Sequence, residues 1–150
     1  VSCQCPPTLP SRLPAHATTH GQVLMGDLTL DELRALYPEP TLERYTPQTP
    51  ETIEELYARI REDAQRGYAV SESSFERGIS VVSAPVRNDT GRIVAVITTT
   101  IPRPAIDTSL LDGGLIDRVR HAAADLSKRL NYRGAAAPKH NPYMLALGIR

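Results

Sequence analysis

Two threonine hydroxyls, Thr98 and Thr100, stand two residues apart at the end of an apolar segment. On a pleated strand that spacing puts both on one face and Thr99 on the other, so both can meet one bound oxyanion or hydroxyl group. The competing explanation is that Thr simply favours strands. A second anion-friendly element lies nearer the N-terminus. Between Arg12 and Gly21 small polar residues precede a helix start, where free backbone N–H groups and the positive end of the helix dipole suit a carboxylate. Ser71, Glu72, Ser73, Ser74 and Glu76 crowd one loop between strands. Such loops either line a binding mouth or are solvated turns.

His16 and His20 are four apart, a spacing at which two imidazoles on one helix face can hold a metal. No glutamate follows His16 as in the zinc-protease pattern, and no third ligand is evident nearby, so histidines facing solvent or a cleft are the simpler account. Cys3 and Cys5 supply half of a zinc ligand set and read as thiols on a frayed end. No nucleophile elbow, phosphate loop or dinucleotide glycine pattern occurs, and no spacing of Ser, His and Asp singles out a triad. The reading is therefore a binding protein with no catalytic residues, no metal and no cofactor.

The elements that must position these residues follow from periodicity. Residues 1–10 are Pro-rich and irregular. A helix is expected over Ala17–Met25. Thr29 opens a second, capped with Glu32, with Leu30, Leu33, Leu36 and Tyr37 inward and Pro38 as its stop. After a loop over Glu39–Gln48, Thr52 and Glu55 form another capping box. The helix that follows buries Ile53, Leu56, Tyr57, Ile60 and Ala64 and ends at Gly67. The period then falls to two. Strands are expected over Tyr68–Ser71, Ile79–Arg87 and Arg92–Thr100, the last two joined by the turn Asn88-Asp89-Thr90-Gly91. A last helix spans Thr108–Leu130 with an inner stripe of Leu111, Leu115, Val119, Ala122, Leu126 and Leu130. The tail holds Tyr143, Met144, Leu145 and Leu147, which could dock on a partner. The order reads as α+β, an antiparallel sheet carrying helices. Three strands are few for four helices. Either the N-terminal segment adds a strand or the chain is part of a larger fold.

With 150 residues the chain suits one domain with a real core. Lys plus Arg and Asp plus Glu both number 17, so no excess positive charge favours nucleic acid over the whole surface. No apolar run approaches the ~20 residues of a membrane helix and no signal pattern opens the chain, so the expected compartment is the cytoplasm, with no membrane partner.

The short segments, taken in order, resemble the effector-binding domain of IclR-type transcriptional regulators. Leu13-Pro14-Ala15-His16-Ala17 with Gly21 opens the likeness. Arg44–Thr49, Gly67–Val70, Phe75–Ile79, Ala84–Val86, Gly91–Ala95 and Ala122–Ser127 continue it, over residues 11–131, and 132–150 form a C-terminal tail. The Arg-Tyr-Thr-Pro-x-Thr segment is nearest to the subgroup that senses aromatic acids.

The resemblance implies a GAF-like antiparallel sheet flanked by helices, with a cleft for a small carboxylate or aromatic-acid effector. It implies ligand contacts at the helix start Thr19, His20 and Gly21, at Ser71, at Val81, and at the hydroxyls Thr98 and Thr100. Many relatives carry an acid where Ser71 stands, a small or thiol residue where Val81 stands and a small one where His20 stands. The winged helix-turn-helix, the linker helix and the first strands of the family are not found here. The resemblance therefore implies a truncated domain whose sheet lacks its first strands and which reaches DNA only through a domain absent from this chain. Self-association to a dimer or tetramer is implied as well. Two other readings stand beside it: an oligomerisation module that modulates intact regulators, and a small metal-dependent enzyme using His16 and His20.

Overall fold

The computed structural model describes residues 12–103 and 114–134. Among them the chain forms α1 (Thr19–Leu24), α2 (Leu30–Leu36), α3 (Ile53–Arg66), β1 (Ala69–Glu72), β2 (Ser80–Arg87), β3 (Ile93–Ile101) and α4 (Leu115–Arg129). The three strands make one antiparallel sheet in the order β1-β2-β3, so the class is α+β, as expected. The expected irregular N-terminus, Cys3 and Cys5, the first turns of the last helix with Leu111, and the tail residues Tyr143 to Leu147 lie outside the described residues.

Capping chemistry sets the two middle helices. Thr29 Oγ1 accepts from the Glu32 amide at 3.3 Å while Glu32 Oε2 accepts from the Thr29 amide at 2.7 Å, a complete capping box. Thr29→Ala is expected to lower the midpoint of thermal unfolding by the loss of about 1 kcal/mol, read by calorimetry. At α3 only half of the expected box forms. Thr52 Oγ1 accepts from the Glu55 amide at 3.1 Å, but the Glu55 carboxylate turns to the Glu51 amide at 2.9 Å. That bond and the neighbouring Arg59 hold the Glu55 carboxyl below its ordinary range. Gly67 closes α3 at φ +76°, a conformation that costs glycine nothing.

Two cores result. Met25, Leu28, Leu33, Leu42, Ile53, Leu56 and Ile60 pack between α1, α2 and α3. Leu30, Leu36, Tyr37 and Tyr57 lie half-buried against them, whereas Ala64 is exposed because the last turn of α3 runs past the core. The second core joins Val82, Ala84 and Val86 of β2 to Val119 and Ala123 of α4. The inner stripe of this last helix differs from the expected one. Val119, Ala123 and Ser127 face the sheet, while Ala122, Leu126 and Leu130 are exposed. Small side chains at Ala123 and Ser127 let the helix approach β2, and Ser127 Oγ accepts from the Arg87 amide at 2.9 Å. Hydrophobicity alone favours the leucines, but close packing favours the smaller side chains.

The other face of β2, with Val81, Ser83, Pro85 and Arg87, turns toward α1. A bulge between Val86 and Arg87 shifts the pairing with β3 and puts Ile93 opposite Arg87. There Asp27 locks the end of α1 to the hairpin. Its Oδ1 lies 2.9 Å from Arg87 Nη1 and its Oδ2 accepts the Ile93 amide at 2.8 Å.

Candidate functional site

α1 begins later than the sequence spacing suggests. Pro14 has no amide to give, and its carbonyl accepts the amides of Ala17 and Thr18 at 3.1 and 3.2 Å, so Ala15-His16-Ala17 form a turn and the helix starts at Thr19. His16 is therefore not on the helix and cannot share a face with His20. Its ring is buried, with Nε2 2.8 Å from the Glu43 carbonyl. It is flanked by Tyr37 and Tyr45, with ring centroids 5.7 and 6.0 Å away. His16 is thus a packed tie between the N-terminal turn and the Glu39–Gln48 loop. Among the described residues no group of three or more His, Cys, Asp or Glu could hold a metal.

The N-cap of α1, Thr18, has extended backbone and makes no capping bond, its hydroxyl donating instead to the Pro14 carbonyl. The first-turn amides of a helix have no partner within it, so an uncapped start leaves them to whatever lies in front. In front lies a cavity of about 220 Å³. Thr19 and His20 of α1, Ser71 of β1, Val81 of β2 and Thr100 of β3 all line it. The register explains the last two: Val81 pairs with Thr100, so both point to the α1 face of the sheet.

Thr98 and Gly21 are placed differently. Thr98 shares that face, but its Oγ1 lies 3.0 Å from Ser83 Oγ, and it is not among the residues that line the cavity. Gly21 serves a close approach. A Cβ there would sit 2.4 Å from the Ala15 carbonyl oxygen. This contact presses the Pro14–Ala17 turn onto α1 and aims Thr19 and His20 at the cavity.

Leu13, Phe75 and Ile79 add apolar wall, and Thr18, Ser74 and Glu76 add polar groups. Sequence reasoning flagged Ser74 and Glu76 only as loop polars and did not reach Leu13, Thr18, Phe75 or Ile79. The one available signal was Phe75, the single Phe of the chain, set in a polar loop.

The wall from Ser71 to Glu76 is firmly held. Ser73 takes φ +57°, which folds the loop back so that its amide donates to the Ile79 carbonyl at 2.8 Å. The Ser74 carbonyl accepts two hydroxyls, Thr46 Oγ1 at 3.0 Å and Thr49 Oγ1 at 2.7 Å. Ser74 Oγ donates in turn to the Ala17 carbonyl at 3.2 Å. The Phe75 ring packs on Tyr45, with centroids 5.1 Å apart. Tyr45 Oη donates to the Glu43 carboxylate at 2.6 Å, which pushes its phenol above the ordinary range, and burial does the same to Tyr37. Within the lining, Thr19 Oγ1 and Ser71 Oγ are hydrogen-bonded to each other. A pocket with apolar walls, several hydroxyls and an uncapped helix start can hold a small polar or anionic molecule.

Comparison with known proteins agrees with this architecture. The family described as the bacterial transcriptional regulator IclR C-terminal domain matches residues 8–128. The HTH-type transcriptional regulator XynR of Escherichia coli (strain K12) is 31% identical over 121 residues, covering 81% of this chain and 48% of that protein. The HTH-type transcriptional repressor AllR of Salmonella typhimurium is 30% identical over 135 residues, covering 89% of this chain and 48% of the repressor. The chain thus spans about half the length of these relatives. Both relatives are transcriptional regulators. The crystal structure of the Agobacterium tumefaciens repressor BlcR superposes with a TM-score of 0.72 at 26% identity, over 83% of this chain and 51% of that one. A double mutant of the inducer-binding domain of PobR from Acinetobacter, in complex with 3-hydroxybenzoic acid, also gives 0.72, at 25% identity over 84% and 74%. Among the described residues no helix is long and apolar enough to cross a membrane. This chain belongs to the IclR C-terminal family, the effector-binding domains of bacterial transcriptional regulators.

Proposed function

We propose that the cavity between α1 and the sheet binds a small organic acid, aliphatic or aromatic. In a complete regulator this binding would control catabolic genes by biasing a winged helix-turn-helix. The observation that carries the reading is the convergence of Thr19, His20, Ser71, Val81 and Thr100, from four separate elements, on one cavity with apolar walls. The 3-hydroxybenzoic acid held by the PobR domain supports an aromatic acid as one candidate. The reading includes self-association to a dimer or tetramer, no DNA binding by this chain alone and a place in the cytoplasm.

A thermal-shift screen of small carboxylic acids tests it, because a ligand that binds only the folded state raises the unfolding temperature. At a ligand concentration a hundredfold above Kd the gain is about 2.7 kcal/mol. Thr100→Val, which keeps shape and removes a hydroxyl, is expected to weaken the best ligand about tenfold with little change in the unliganded midpoint. A screen without a hit among aromatic and aliphatic acids alike would reject the proposal.

A further inference from the structure

We infer that this cavity selects singly charged acids over dicarboxylates, and that Glu76 sets the selectivity; the inference rests on the organic-acid reading above. The chain carries 17 Lys and Arg, yet among the described residues none that lines the cavity is either. Its polar complement is hydroxyls, His20 and one carboxylate, Glu76. Among the described residues that line it, His20 is thus the one side chain that can carry positive charge. One ligand carboxylate can be met by neutral donors and His20. A second finds no cation, and a desolvated charge without a partner is strongly unfavourable.

Glu76 adds direct repulsion. It is exposed, and it extends from a wall that cannot easily withdraw. The preceding residues are fixed by the Ser74 carbonyl and by the Phe75 ring against Tyr45. A like charge brought near its carboxylate is disfavoured. The Thr100 hydroxyl, by contrast, can donate to and accept from a ligand hydroxyl, and Ser71, bonded to Thr19, keeps a lone pair to accept from one. The favoured class is therefore a hydroxylated monocarboxylic acid.

Two matched pairs test this by titration calorimetry on the 150-residue chain. 3-Hydroxybenzoate is compared with isophthalate, and 3-hydroxypropanoate with succinate. Within each pair a hydroxyl is exchanged for a second carboxylate at the same position. The pair that binds is expected to favour the hydroxy acid by at least about tenfold, a 1.4 kcal/mol difference. Glu76→Gln is expected to narrow the ratio to about threefold, and Glu76→Lys to bring the dicarboxylate level or ahead, with the unliganded midpoint unchanged in both. Equal binding of the two members in the parent chain overturns the charge selectivity while leaving the acid-binding reading intact. A ratio that persists in both variants removes Glu76 from the account. If no member of either pair binds while the wider screen finds another acid, this inference falls and the organic-acid reading stands; if the wider screen finds none either, both fall.

Discussion

Gly21→Ala is expected to destabilise the domain by about 1–3 kcal/mol and to abolish most of its response to ligand. The added methyl would lie 2.4 Å from the Ala15 carbonyl oxygen and 2.5 Å from the Ala15 Cα, distances that backbone atoms cannot accommodate without moving. The obstacle is main chain, so no side-chain rotation relieves it. Either the Pro14–Ala17 turn lifts or α1 rolls, and both carry Thr19 and His20 away from Ser71 and Thr100. Ordinarily alanine improves a helix over glycine, by up to about 1 kcal/mol. Here the sign reverses, which makes the variant diagnostic. Chemical denaturation measures the stability loss, and titration with the best acid from the screen measures the site. A fully stable Gly21→Ala protein would show that the turn and α1 are not in contact.

The second large effect is expected at Asp27. Asp27→Ala is predicted to cost about 2–4 kcal/mol in urea unfolding. Its side chain is 12% exposed and that of its partner Arg87 20%. Removing the carboxylate leaves a largely desolvated guanidinium without its counter-charge and also strips the acceptor from the Ile93 amide, which sits at the bulge. The Arg87 guanidinium keeps its bond to the Gly91 carbonyl, at 2.5 Å. The double variant Asp27→Ala, Arg87→Met is expected to recover part of the loss, since the isolated charge is removed as well. Additive losses in the double variant would contradict this account. The predicted weakness lies at the far end of α1 from the cavity, so ligand affinity should change less than in Gly21→Ala.

Much of the architecture was legible because it rests on local chemistry. Thr29 with Glu32, Thr52 before α3, Gly67 after it and the alternation of β2 all act over a few residues, and the first six elements lie within a few residues of their expected bounds, whereas α4 starts at Leu115 behind a left-handed Gly114 and the expected start at Thr108 lies outside the described residues. Long-range packing was harder to read. The α4 face depends on which side chains are small enough to meet β2, and periodicity treats Ala122 and Ala123 alike. The start of α1 depends on Pro14 accepting two amides, which moves His16 off the helix.

The site shows the same division. Same-face placement of Thr98 and Thr100 follows from the pleat, but their different environments follow from register. Thr98 meets a hydroxyl on β2, whereas Thr100 meets Val81 and open space. The resemblance to a known family supplied Thr19, His20, Ser71 and Val81, which spacing alone does not connect. Leu13 and Phe75 come from loops whose closure no local rule foretells.

The Ser74 carbonyl, held by hydroxyls that lie 28 and 25 residues before it in the chain, has a mechanical corollary. Two loops distant in sequence form one rigid plate, with the cavity on its inner side and the Arg44–Thr49 surface on its outer side. Any molecule that pushes the inner side outward must displace the outer one with it. If the proposed site is occupied, a change of surface shape is the expected consequence, without any helix having to slide.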